Sequence, residues 1–235
     1  MKKLIGIGLL LFCTMHALGQ TTLMTREEWT AVMKDVAPTP FNQPPPPYRR
    51  TVRQSSFEEG DLVLGYTSLR ISERLNRTTG RSVSRERIGT ELRSDETVYI
   101  GKQIFSRRDD GPWVAAVLPS RTRVIRSQPD PVNPQFVRKP DSVEVLYYSL
   151  GSRVYKGRTV AVYEEVTRHI LIRTADKTEV HRENRTRSWI ADRKNCIRWD
   201  THYATFDSTK TTRAFTSTEW ELNPNIQQIE LPIKQ

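Results

Sequence analysis

Few side chains in this sequence have a type and spacing suited to chemistry. Beyond residue 20 the histidines are His169, His181 and His202, and no HxH or HExxH spacing connects them. Because metal sites commonly use ligands at such short spacings, the pattern predicts no zinc site. The sequence also contains no GxSxG turn and no glycine-rich phosphate loop, which are typical of nucleophilic and nucleotide-binding sites.

Adjacent carboxylates are the remaining candidates for acid–base chemistry, and they occur at Glu58–Glu59, Asp109–Asp110 and Glu164–Glu165. The first two pairs lie in predicted turns. The third lies in a predicted strand, where neighbouring side chains point to opposite faces and do not share a substrate. We therefore predict that the protein is not an enzyme and has no catalytic residue, cofactor or metal. A hydrolase that uses two carboxylates from distant strands is the open alternative.

The first 19 residues have the pattern of a bacterial secretory signal peptide. Lys2 and Lys3 precede an apolar run over residues 4–12, and Ala17–Leu18–Gly19 supplies small residues before Gln20. The run is too short to span a bilayer as a helix. We expect cleavage near Gly19/Gln20, a periplasmic or secreted location, and no transmembrane segment.

The two cysteines have different predicted fates. The alternative to plain cleavage is lipidation, in which Cys13 would be the acylated cysteine of a lipoprotein. However, Phe12 occupies the position where lipid attachment requires a small residue. After cleavage Cys196 is the only cysteine, so the mature chain forms no intramolecular disulfide. Its strand-like surroundings predict a small buried hydrophobic side chain rather than a reactive thiol.

Residues 20–47 are predicted to form an N-terminal helix followed by a proline-rich spacer. Thr25 and Glu28 have the spacing of a capping box at the start of a helix over residues 23–36. Consecutive prolines up to Pro47 then indicate an extended connection. One apolar helical face is predicted from the residues Leu23, Trp29, Val32, Met33 and Val36.

Residues 48–235 have the pattern of a single β domain. Short runs of alternating polarity, such as Leu69 and Ile71 between polar neighbours, are separated by polar turns. No further segment has helical periodicity, which disfavours a parallel sheet with crossover helices. The predicted fold is therefore mainly β, with a single curved antiparallel sheet (a half-barrel) and an N-terminal covering helix.

The formal net charge is +10, and arginines recur at even spacing, as outward-facing strand positions do. Two interpretations are open: a solvated basic face, or a surface that attracts anionic lipid headgroups or polysaccharide. Secretion and the absence of a recognition motif argue against nucleic acid as a partner. The evenly spaced arginines are Arg70, Arg74, Arg85, Arg87, Arg121, Arg123, Arg185 and Arg187.

Several short motifs, taken in order, resemble those of the outer-membrane lipoprotein carrier (LolA-like) superfamily, in an uncharacterised envelope branch. The likeness extends from about Tyr48 to Pro232. The motifs are Glu96–Gly101 (ETVYIG), Phe105–Arg107, Gly111–Trp113, Gly151–Val160 (GSRVYKGRTV), Arg187–Asp192 (RSWIAD) and Ile229–Pro232.

The resemblance implies a curved antiparallel sheet closed by helices around an apolar cavity that holds acyl chains. The chain departs from the carriers because it has one clear helix and no arginine that matches the one that latches their lid. The residues expected to line such a cavity are Leu69, Ile71, Val98, Ile100, Val145, Tyr147, Ile197 and Trp199.

Two functions follow as expectations. The first is a secreted or periplasmic binding protein that shelters a lipid or acylated ligand without catalysis. The second is an envelope interaction or sensory module that docks a partner protein or an anionic polymer through its basic face or proline spacer.

Overall fold

The computed structural model describes residues 21–39, 43–59, 64–117, 136–192, 194–206, 211–230 and 232. The predicted signal peptide, including Cys13, lies outside the described residues. So do Arg121 and Arg123 of the arginine series.

The described residues form one helix and thirteen strands. In chain order these are β1 Thr22–Met24, α1 Arg26–Met33, β2 Tyr48–Glu59, β3 Leu64–Arg74, β4 Thr79–Ile88, β5 Glu91–Ile100, β6 Gln103–Arg108, β7 Val114–Val117, β8 Phe136–Arg138, β9 Glu144–Tyr155, β10 Arg158–Arg173, β11 Glu179–Ala191, β12 Asn195–Phe206 and β13 Thr211–Leu222.

All of these strands belong to one open antiparallel sheet, which confirms the predicted fold class. The strand order is β1-β9-β10-β11-β12-β13-β2-β3-β4-β5-β6-β7, and β8 also pairs with β10. Long consecutive strands pair as hairpins, as alternating polarity with polar turns predicts. The two halves of the chain meet where β13 pairs with β2 along its whole length, from Thr211↔Glu59 to Leu222↔Tyr48.

The helix begins as its sequence predicts. Thr25 Oγ1 accepts a hydrogen bond from the Glu28 N–H over 3.2 Å, and Glu28 Oε2 accepts one from the Thr25 N–H over 2.8 Å. This reciprocal capping box satisfies two backbone donors at the helix start. The predicted range of 23–36 is too long at both ends, because Leu23 pairs with Tyr148 as part of β1 and the helix ends at Met33.

Helix α1 packs on one surface of the sheet, which we call the helix face and which carries Tyr147, Tyr163 and Trp199. The Trp29 ring stacks on the Tyr147 ring, with centroids 5.0 Å apart. Val36 is buried in the same core. The other buried members of this core are Ile190, Cys196 and Trp220.

The opposite surface, which we call the groove face, carries Leu69, Arg85 and Trp189. Near β9 to β12 it holds a second buried cluster of Leu150, Val160, Val162 and Ala191. No helix in the described part of the chain covers this face near β2 to β5. Around Leu69 and Arg85 the side chains of this face are half-buried or exposed.

Candidate functional site

The eight predicted cavity residues do not share one face of the sheet. Tyr147 packs against α1, and Val145 has the same orientation two residues away on β9. Trp199 packs against the core beneath α1. The remaining five point to the groove face, as strand register and cluster contacts show; they are Leu69, Ile71, Val98, Ile100 and Ile197.

The predicted burial of Leu69 and Ile71 is also incomplete. Ile71 is 37% exposed and Leu69 is half-buried, because α1 lies on the other side of the sheet. Alternation within β3 correctly predicted that the two side chains share a face. The expected closed cavity beneath the helix is therefore replaced by an open surface in this region.

A groove of about 470 Å³ crosses β13, β2, β3, β4 and β5 on the groove face. Such a volume lies within the usual range of small-molecule sites. Strand register arranges its side chains in two neighbouring rows. The first row is Arg53, Leu69 and Arg85, and the second is Phe215, Ser55, Thr67, Arg87 and Leu92.

The groove therefore combines an apolar part with a basic part. Leu69, Phe215 and Leu92 supply the apolar surface, and Leu92 is 64% exposed. An exposed leucine at one end of the groove and a half-buried phenylalanine at the other leave hydrocarbon surface in contact with water, which an apolar ligand would cover favourably.

The basic part of the groove has few internal partners. Within the described part of the chain, neither Arg85 nor Arg87 forms an ion pair or a side-chain hydrogen bond. Arg53 donates to Glu219 over 3.0 Å. Glu86 borders the groove, but its position opposite Ser68 places its side chain on the helix face. The groove thus carries a net positive charge that the protein does not neutralise.

Several arginines elsewhere on the groove face are paired with acids. Arg187 Nη2 lies 2.6 Å from Glu164 Oε1, and Arg185 Nε lies 2.6 Å from Glu183 Oε1. Four of the evenly spaced arginines share this face. Arg185 and Arg187 are paired with acids, whereas Arg85 and Arg87 form no ion pair within the described residues.

A second cavity, of about 400 Å³, lies where Ile197 and Trp220 approach the turn after β9. Two charged side chains of its lining are paired inside the protein: Lys156 with Glu219 over 2.5 Å, and Glu221 with Arg49 over 2.8 Å. Its other charged lining residues, Arg158 and Asp192, have opposite charges, so the lining of this cavity has no net charge, unlike that of the groove.

The acidic pairs lie in settings that partly match the prediction. Asp109 and Asp110 occupy a turn with φ of 47° and 58°, and Glu164 and Glu165 point to opposite faces, as expected. Glu58 and Glu59 instead belong to β2, because the strand continues until Glu59 pairs with Thr211. The predicted turn at this pair is therefore wrong for Glu58 and Glu59.

The described residues contain no group of three or more histidine, cysteine or acidic side chains placed to hold a metal ion. In the same part of the chain, no helix has the length and apolar character needed to cross a membrane.

Comparisons of this chain with protein-family models, curated proteins and solved structures found no match. The resemblance to the lipoprotein carriers therefore stays a prediction.

Sequence reasoning identified Leu69 but missed the residues that complete the groove. Phe215 and Leu92 each lie in a mostly polar stretch of their strand, where apolar periodicity is weak. Arg85 and Arg87 were recognised as a pair on one face, but not as neighbours of Leu69. That relationship depends on the pairing of Leu69 with Arg85 and of Thr67 with Arg87.

Proposed function

We propose that this protein is a non-enzymatic binding protein for an amphipathic anion, a molecule with an alkyl chain and a negatively charged head such as a fatty acid. The observation that carries the proposal is the position of the unpaired guanidiniums of Arg85 and Arg87 beside Leu69 and Leu92 in one groove. With the predicted signal peptide removed, the protein would meet such ligands in the periplasm or outside the cell.

Both halves of this ligand are supported by energetics. Each methylene that leaves water contributes about 0.8 kcal/mol when it is fully buried, and less in an open groove. Arginine binds carboxylate or phosphate through paired N–H donors, so a single head group can engage Arg85 or Arg87. A neutral alkane would leave the arginines unused, and a purely polar anion would leave the leucines uncovered.

The alternative, docking of an anionic polymer on a broad basic face, has less support. A polymer requires positive charge spread along a surface, whereas Arg185 and Arg187 are already paired with Glu183 and Glu164. The short span of unpaired charge at Arg85 and Arg87 fits a compact head group better.

The proposal is tested by calorimetric titration of the full chain with dodecanoate, dodecanol and acetate. Dodecanoate is expected to bind more tightly than either, because only it has both chain and charge. Leu69→Glu and the double change Arg85→Gln and Arg87→Gln are each expected to weaken dodecanoate binding about tenfold or more, the equivalent of about 1.4 kcal/mol.

Arg70→Gln is the matched control, since Arg70 is exposed next to Leu69 on the opposite face of β3. It removes the same charge and is expected to leave affinity unchanged. Unaltered dodecanoate binding by Leu69→Glu would contradict the proposal. Binding of a polyanion that depends on Arg85 and Arg87 but not on Leu69 would favour the polymer alternative.

A further inference from the structure

A second group of unpaired cations lies on the helix face, at the far end of β10. We call it the arginine–histidine cluster, and it consists of Arg138 on β8, His169 on β10 and Arg182 on β11. His169 pairs directly with Arg182 across the two strands. Arg138 pairs with Leu171, which is two residues from His169 on the same face of β10. Directly opposed residues have Cβ atoms about 5 Å apart and diagonal ones about 7–8 Å, so Arg182 and Arg138 each lie near His169, on either side of it.

Two aromatic rings hold the central arginine. The Arg182 guanidinium carbon lies 5.5 Å from the centre of the Phe136 ring and 5.9 Å from that of the Tyr203 ring. This contact orients the guanidinium and shields it from water. The Arg182 Nε is buried and has no hydrogen-bond partner. The Arg182 side chain as a whole is half-buried, so an external acceptor would bind guanidinium N–H donors other than the buried Nε.

No carboxylate neutralises the cluster within the described part of the chain. Arg138, His169 and Arg182 form no ion pair there. The acids of the neighbouring strands point away or have other partners. These acids and their partners are Glu165 near Thr167, Glu179 with Lys139, Glu183 with Arg168 and Arg185, and Asp176 with Arg173.

The electrostatics of His169 are consistent with this imbalance. Burial lowers the pKa of His169, and the positive charges of Arg138 and Arg182 lower it further. A bound anion would oppose both arginine effects. The histidine therefore serves as a reporter of anything negative that enters the cluster.

We infer that the arginine–histidine cluster is a binding site for a phosphate group, either inorganic or carried on a larger molecule. Two guanidiniums and an imidazole offer N–H donors from three strands, which matches an anion with several equivalent oxygens. Phosphate carries up to two negative charges near neutral pH, so it interacts with several converging donors more strongly than a carboxylate does. The site is separate from the groove, because it lies on the other face of the sheet.

The test is nuclear magnetic resonance of the three histidines in the full chain, with His16→Gln to simplify the spectrum. The pKa of each is measured without and with inorganic phosphate, at ionic strength matched with sodium chloride. Phosphate is expected to raise the pKa of His169 saturably. His181 and His202 are internal controls, because both point to the groove face. Equal changes in all three histidines would overturn the inference, as would a His169 pKa that neither inorganic phosphate nor the two phosphate esters described below change.

Two variants locate the effect. Arg182→Gln is expected to weaken phosphate binding about tenfold or more, since it removes a guanidinium that forms charge-assisted hydrogen bonds to the anion. Arg138→Gln lies on an exposed position of β8 and gives a second measurement if the first variant folds poorly. Persistence of the full phosphate effect in both variants would contradict the assignment.

The source of the phosphate is distinguished by two further titrations, with glycerol 3-phosphate and with vesicles of phosphatidic acid in phosphatidylcholine. A response of His169 to the soluble ester indicates a free metabolite or polymer phosphate. A response confined to the vesicles indicates a lipid head group. Failure of both, together with failure of inorganic phosphate, would overturn the inference while leaving the dodecanoate result at the groove unaffected.

Discussion

The Trp189 indole donates its N–H to Asp200 Oδ2 over 2.9 Å and links β11 to β12 on the groove face. Asp200 is buried and also accepts hydrogen bonds from Arg198 Nε over 2.8 and 3.0 Å. The Arg198 guanidinium in turn lies over the Trp189 and Tyr155 rings, at 5.1 and 5.4 Å from their centres. One carboxylate thus holds both an aromatic ring and the cation packed on it.

We expect Asp200→Ala to lower the free energy of unfolding by about 2–4 kcal/mol, because it leaves two half-buried donors, one of them charged, without their acceptor. Asp95→Ala is the control, since Asp95 pairs with Arg108 at an exposed position over 3.1 Å. An exposed pair contributes at most about 1 kcal/mol. Urea denaturation measures both, and equal losses would contradict the role given to Asp200.

The attachment of α1 depends on Trp29. We expect Trp29→Ala to lower the free energy of unfolding by about 3–5 kcal/mol, because it removes a large buried ring and leaves a cavity next to Tyr147. Trp29→Phe retains a ring and should cost clearly less. Hydrogen exchange of the α1 amides provides the second measurement, and protection unchanged in Trp29→Ala would show that the helix is held by other contacts.

Stability at low pH is expected to depend on Glu73. Burial raises the pKa of its carboxyl, but hydrogen bonds from Arg49 and Arg81, at 2.8 and 2.7 Å, outweigh this and hold the pKa below the ordinary value. The carboxylate therefore stabilises the fold fully above its unfolded pKa, and this contribution is lost as pH falls through the lower folded pKa.

Glu73→Gln should accordingly lower stability at neutral pH and flatten the dependence of unfolding free energy on pH below about pH 5. Glu91→Gln removes an exposed carboxylate paired with Arg93 and should change neither quantity much. The measurement is urea denaturation at a series of pH values. A wild-type-like acid dependence in Glu73→Gln would contradict the prediction.

The Cys196 thiol is expected to be unreactive in the folded protein. It is 1% exposed, and burial raises its pKa to about 12, so almost no thiolate exists at neutral pH. In a Cys13→Ser chain, iodoacetamide should modify Cys196 only after denaturation. Rapid labelling without denaturant would show that the core around β12 opens readily.

Salt is expected to weaken dodecanoate binding at the groove. Arg85 and Arg87 are exposed, and screening shortens from about 10 Å at 0.1 M to about 3 Å at 1 M salt. Dodecanol, which lacks the charge, should not lose affinity over this range. Equal salt effects on the two ligands would indicate that the arginines do not contact the head group.

Local sequence patterns determined much of the fold. Alternation predicted strands such as β3, and the Thr25–Glu28 spacing predicted the helix start, because these features depend on residues within a few positions of one another. Cys196 was correctly predicted to be buried for the same reason. The predicted sheet, antiparallel and with one N-terminal helix, is confirmed by the strand order.

Only the tertiary structure decided which side chains from different strands lie together on one face of the sheet. Alternation fixes side-chain direction within one strand, but the relation between strands depends on register and on irregularities such as the shift between Trp189 and Ile190. Tyr147 and Leu69 therefore lie on opposite faces although both occupy apolar strand positions. Ion pairing also depends on distant residues: Arg49 and Glu221, 172 positions apart, are partners, whereas Arg85 has none in the described chain. The site is consequently a property of long-range pairing, which short-range patterns do not encode.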